Sequence, residues 1–132
     1  MQDRPTYDEL LAAVERFLDD EVVAKGEGAR RYQGRVAANV IRLVRRELER
    51  EEASLEREWA GLDGLQGALE RPDTRAALRD ALALRNEELC KKIRTGDADA
   101  GSFREATLAH VRRTMRDKLL ITNPGWLGET DS

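Results

Sequence analysis

One cysteine, Cys90, and one histidine, His110, stand among 132 residues, alongside three prolines and only 5% aromatic residues. A lone cysteine excludes an intrachain disulfide and suits a reducing compartment, where its default role is that of a small buried hydrophobe. A lone histidine excludes the paired Glu-x-x-His helices of a carboxylate-bridged di-metal bundle, so no metal site is expected. Nowhere do about 18 apolar residues stand together, and MQDRPTYDELL has no basic segment leading into an apolar run, so neither a membrane span nor a signal peptide is read. The expected location is the cytoplasm. The chain also lacks a Gly-x-x-x-x-Gly-Lys-Ser/Thr loop, a Gly-x-Gly-x-x-Gly turn after a strand and a Gly-x-Ser-x-Gly elbow, and no cofactor is expected. With a net charge of −3 and a pI near 5.4 there is no global basic field, which argues against nucleic acid and anionic membrane as partners.

What is present is charge and helical periodicity. Charged residues make up 37% of the chain and hydrophobic ones 40%, a balance that favours amphipathic helices over strands. The length amounts to a single helical domain, 1–132, with one core. Thr6 and Glu9 form a capping box that opens helix 1, whose Leu10, Leu11, Val14, Phe17, Leu18 and Val22 recur at steps of three and four until the glycines of KGEG. Helix 2 is expected from about Ala29 into the late fifties with Val36, Val40, Val44 and Leu48 on one side, and with a break near Ala53-Ser54 or a fifth short helix over Leu55 to Leu62 as variants. GLDGLQGALERPD, residues 61–73, reads as a long connection. Asp73 is the expected N-cap of helix 3, which carries Leu78, Leu82, Leu89 and Ile93 and stops at Gly96. Ser102 and Glu105 read as a second capping box opening helix 4, with Phe103, Leu108, Val111, Met115 and Leu119 as its stripe. The tail ITNPGWLGETDS breaks at Pro124 and is expected to fold back through Trp126 and Leu127. The expectation is therefore an all-α antiparallel four-helix bundle with one longer crossover and an ordered tail. A homodimer is an alternative, with Trp59 and Trp126 as candidate anchors.

Placing each residue 100° round from the last puts one charged group on each apolar face: Glu21 in helix 1, Glu47 in helix 2, Arg85 in helix 3 and Lys118 in helix 4. An isolated buried charge costs more than one residue's packing offsets, so such groups must pair across helices or line a wet cavity. Either they are structural salt bridges that fix helix register, or they form the polar wall of a pocket; a different helix phase would leave one or more in solvent. Beside the stripe of helix 2, Arg35, Asn39, Arg42 and Arg46 follow at steps of four, three and four and form a ridge. Three guanidiniums and an amide suit a phosphate or carboxylate, with Lys118 as a further cation. The competing reading is a solvated face neutralised by Glu49 and the acidic helix 1. Nothing in the sequence brings His110 to Cys90 as a nucleophile and base.

PTYDELLAAVERFLDDEV, RVAANVIRLVRREL and KLLITNPGWL, in this order and at these separations, resemble the small bacterial all-helical proteins of unknown function encoded beside aminoglycoside-phosphotransferase-like kinases and acyl-CoA dehydrogenases. The matching positions are Pro5, Thr6, Glu21, Arg35, Asn39, Arg46, Glu47, Lys118, Asn123 and Pro124; residues 52–75 match poorly. A histidine usual before the RVAAN motif is replaced here by RRYQG. The resemblance implies an accessory protein of acyl-CoA or phosphotransfer metabolism with a partner enzyme, and supplies no activity. A noncatalytic helical accessory protein is the first expectation. A binder for an anionic metabolite, an acyl-CoA or a phosphorylated acid, is the second.

Overall fold

A computed structural model describes residues 3–128. The fold is all-α, built from four α-helices, with no strand among the described residues: α1 is Tyr7–Phe17, α2 Gly28–Gln66, α3 Arg75–Arg94 and α4 Gly101–Thr122. A π-helical stretch, Leu18–Val23, continues α1, and a single 3-10 turn, Pro124–Trp126, follows α4. Two compact units divide the chain, one up to Glu49 and one from Arg50 onward.

The first unit is a helical hairpin. Thr6 caps α1 as expected: its hydroxyl accepts from the Glu9 amide at 3.2 Å and the Glu9 carboxylate accepts from the Thr6 amide at 2.8 Å. The helix then widens, with the Ala24 amide donating to the carbonyl of Asp19, five residues back. α2 returns antiparallel, so that Arg45 meets Asp8 and Arg42 meets Glu15. Gly34 sets the closest approach: a β-carbon there would lie 2.7 Å from Val22 Cγ1. Ala38 beside it is fully buried, while no residue of α1 is.

In the second unit α2 runs through Gln66 without a break at Ala53-Ser54, and the stretch Leu55 to Leu62, the variant fifth helix, is simply part of it. The glycines, Pro72 and the lack of a sustained period suggest a loop over residues 61–73, yet Gly61 and Gly64 lie inside the helix. Each costs a helix about 1 kcal/mol relative to alanine, which the burial of Trp59 and of Leu62, with no exposed surface, outweighs. The core is Trp59, Leu62, Leu78, Leu82 and Leu89, with Leu55, Leu65, Ala81 and Phe103 packed against it. Trp59 is thus a core residue and not a subunit anchor. The connection after Gln66 doubles back along α2, where Arg71 pairs with Glu56, and α3 consequently runs parallel to α2: Arg79 meets Glu51 and Asn86 meets Glu58. α4 is antiparallel to α2, with Arg57 on Asp117 at 2.9 Å.

Local signals at the helix ends differ from expectation in two places. Thr74, not Asp73, caps α3, its hydroxyl accepting from the Ala77 amide at 3.2 Å. The Ser102–Glu105 box does not form, because α4 starts two residues earlier, with Ala100 at the N-cap and no side-chain cap. Gly96, at φ +95°, ends α3 as expected. Trp126 is 77% exposed and does not fold back, whereas Leu127 is half-buried; the last four residues of the expected tail lie outside the described residues. Cys90 is exposed, contrary to the buried role expected of it.

α4 is rotated from its expected phase. Thr107 and His110 are buried and Thr114 and Asp117 half-buried, whereas Leu108, Val111 and Met115 of the expected stripe face outward. The helix turns a polar heptad edge toward α2 and leaves its apolar one open.

Candidate functional site

The arginine ridge lies in the first unit, and the structure separates its members by partner. Arg35 and Asn39 are exposed, whereas Arg42 and Arg46 are half-buried. Arg42 donates to Glu15 at 2.8 Å and also to Asp19. Arg45, which the ridge omitted, donates to Asp8 at 2.8 Å and to Glu15 at 2.7 Å. The hydrogen bond to Asp19 raises the Arg42 pKa, those to Asp8 and Glu15 raise that of Arg45, and the Arg45 bond in turn holds the Asp8 carboxyl below its usual range. A cleft of about 460 Å³ opens here between Tyr7, Asp8, Glu15, Arg42, Arg45, Arg46 and Glu49. Two of its guanidiniums already serve carboxylates of α1 and its π-helical extension, so the site as folded is an internally neutralised seam.

Three of the four charges assigned to apolar faces find a local partner. Glu21 faces solvent, 47% exposed, and pairs with Lys25 one turn on at 2.5 Å. Its expected phase fails because it lies in the π-helical stretch, where each turn holds an extra residue and 100° per residue overruns. Glu47 is half-buried and forms no ion pair among the described residues. Arg85 is buried at 6% exposure; it donates to Asp63 at 2.7 Å and to the Gly67 carbonyl at 2.8 Å, and its guanidinium lies 4.5 Å over the Trp59 ring. Lys118, the fifth member of the ligand set, is exposed and reaches Glu58 at 3.5 Å. Arg85 and Lys118 therefore take Asp63 and Glu58 as their acids, and Glu21 takes a base from the turn that follows its helical stretch.

The most enclosed polar chemistry is in the second unit, at Glu58, which the helical pattern did not single out, and at His110, for which the sequence offers no partner. Glu58 on α2 is 7% exposed, accepts from Asn86 Nδ2 at 2.7 Å and forms an ion pair with Lys118. His110 on α4 is 3% exposed, and its imidazole occupies the space where a β-carbon of residue 61 would collide with Nδ1 and Cε1. Burial pushes its pKa below 6.5; the Glu58 carboxylate opposes that shift, and Arg113 and Lys118 add to it. At pH 7 the ring is neutral, with one donor and one acceptor nitrogen. A cleft of about 330 Å³ between Arg57, Glu58, Ala60, Gly61, His110, Arg113, Thr114 and Asp117 gives onto this ring. The signal in the sequence was the helical spacing of His110, Thr114 and Asp117 opposite a mid-helix glycine, hidden because residues 61–73 read as loop. Among the described residues no group of three or more His, Cys, Asp and Glu is placed to hold a metal ion, and no helix is long and apolar enough to cross a membrane.

Fold and sites together define an all-helical protein with internally paired charges, a buried imidazole and open apolar helix faces. The chain belongs to the family of the domain of unknown function DUF6285, whose model matches residues 24–126. No curated protein and no solved structure matches the chain.

Proposed function

We propose that this protein is a noncatalytic helical accessory protein that docks on a partner enzyme. One observation carries the reading: apolar stripes at helical spacing, which a self-sufficient bundle would bury, stand open to solvent. In the first unit Leu10, Val14 and Phe17 of α1 are 44–58% exposed; in the second, Leu108, Val111 and Met115 of α4 are 38–51% exposed. Contiguous exposed apolar surface of this kind marks interaction sites on soluble proteins. Covering what remains open of these six side chains offers on the order of 5 kcal/mol, enough to matter for a complex and absent from the isolated chain.

The class of partner comes from the resemblance noted above: an aminoglycoside-phosphotransferase-like kinase or an acyl-CoA dehydrogenase encoded nearby, in bacterial cytoplasm. A second copy of the chain is the other occupant such faces would accept. The test is co-purification of the full chain with each neighbouring enzyme, with light scattering to give the mass of any complex. A heteromeric complex lost in Val14→Glu or Met115→Glu supports the proposal. A chain that stays alone with both enzymes at micromolar concentration overturns it. The reading as a binder of acyl-CoA or a phosphorylated acid through Arg35, Asn39, Arg42, Arg46 and Lys118 has less support, because Arg42 and Lys118 are already engaged by carboxylates.

A further inference from the structure

We infer that the cleft over His110 is a binding site for a small hydroxycarboxylate, the carboxylate taken by Arg113 and the hydroxyl by the imidazole. This goes beyond docking on a partner and rests on different residues. Three observations lead to it.

The imidazole is built in at a cost, and its nitrogens are left for what enters the cleft. It is 3% exposed, yet it makes no hydrogen bond to any described residue. Its place requires a glycine in the middle of α2, where glycine weakens a helix. Its nitrogens are not among the fully enclosed atoms that lack a partner, so they open onto the cleft, where solvent or a ligand can pair with them.

The charges around the cleft do not cancel. Arg57 is held by Asp117 at 2.9 Å and Lys118 by Glu58 at 3.5 Å. Arg113 lines the same cleft with no ion pair among the described residues, which leaves one positive charge uncompensated. A monoanion balances it, and a guanidinium takes a carboxylate with two parallel N–H bonds.

Spacing and size then narrow the class. Arg113 and Thr114 follow His110 at three and four residues on α4, so the guanidinium, a hydroxyl and the imidazole are neighbours on one helix face. A ligand that uses all three carries a carboxylate and a hydroxyl a few bonds apart. At about 330 Å³ the cleft is at the small end of ligand sites, which run from roughly 300 to 1,000 Å³, so the ligand is compact.

Because His110 is the sole histidine, the ring gives one set of imidazole signals in a long-range proton–nitrogen NMR spectrum of the full chain. Titration with lactate is expected to move those signals saturably in the millimolar range, with acetate binding more weakly for want of the hydroxyl. Arg113→Gln, a change at an exposed side chain, is expected to weaken lactate about tenfold while leaving the backbone spectrum in place. The proposal is overturned by a ring that does not respond to lactate at tens of millimolar. It is equally overturned by a response that sodium chloride reproduces, that acetate matches in affinity, or that Arg113→Gln leaves unchanged.

Discussion

Gly61 and His110 occupy one another's space: the missing side chain of the first is the seat of the second, whose Nδ1 edge lies where a β-carbon would stand. Two helices approach through that vacancy, and a neutral ring is enclosed between them. The pair is therefore coupled, and the coupling is measurable.

Gly61→Ala should destabilise the protein although alanine is the better helix former. The helix gains about 1 kcal/mol from the exchange, against about 1–3 kcal/mol for overpacking a filled site. Adding His110→Ala should make the Gly61→Ala change favourable. Urea unfolding of the two single variants and the double variant checks the reversal of sign.

Stability should fall with acid below pH 6.5 through one identifiable group. In the unfolded chain His110 titrates near 6.5; in the folded chain burial lowers its pKa, Glu58 opposing and Arg113 and Lys118 assisting. Between the two values the unfolded state binds a proton that the folded state does not, so stability present above pH 6.5 is lost as pH falls to the folded pKa. Thermal midpoints of the wild type and His110→Gln from pH 8 to pH 5 should diverge in slope over that interval only.

The Arg85–Asp63 pair should be strongly asymmetric to mutation. Asp63→Ala leaves a guanidinium that is 7% exposed without its acid, and breaking a buried pair costs about 3–5 kcal/mol; the part-exposure of Asp63 puts the expected loss at the low end. Arg85→Met together with Asp63→Ala should recover most of it, since the methionine can still pack on Trp59. Denaturant midpoints decide the matter.

Helix caps offer a sharper contrast. Thr74→Ala removes a formed cap and should cost about 1 kcal/mol, whereas Ser102→Ala removes a hydroxyl that caps nothing and should stay within about 0.5 kcal/mol. Equal losses would contradict the assigned start of α4.

The features legible in the sequence are those decided within one turn of the chain. Thr6 and Glu9 sit three residues apart and bond as a box; Gly96 stops α3 because only a glycine enters φ +95° freely. Leu78, Leu82 and Leu89 repeat at helical spacing and are buried. What escaped was decided at a distance. Helix α2 passes Gly61 and Gly64 because Leu62 has a core to enter, which no local propensity records. α4 turns Thr107 and His110 inward and Met115 outward, against the rule that the apolar stripe faces the core. The candidate site was hidden for the same reason: Glu58 and His110 gain their meaning only when two helices close on a glycine. Arg85 could be picked out because a charge amid leucines is conspicuous, but its acid, Asp63, lay in the stretch read as a loop.

The wide turn over Leu18–Val23 carries a consequence for the lineage of this fold. A π-helical turn holds one residue beyond what an α-helix needs for the same path, which is how a helix absorbs a single inserted codon without displacing what flanks it. Excising one residue there would let the first helix close into ordinary geometry and still deliver the chain to the glycine turn at Gly26. The first hairpin thus bears an expansion joint, and removal of one residue at this point is expected to leave the hairpin in place.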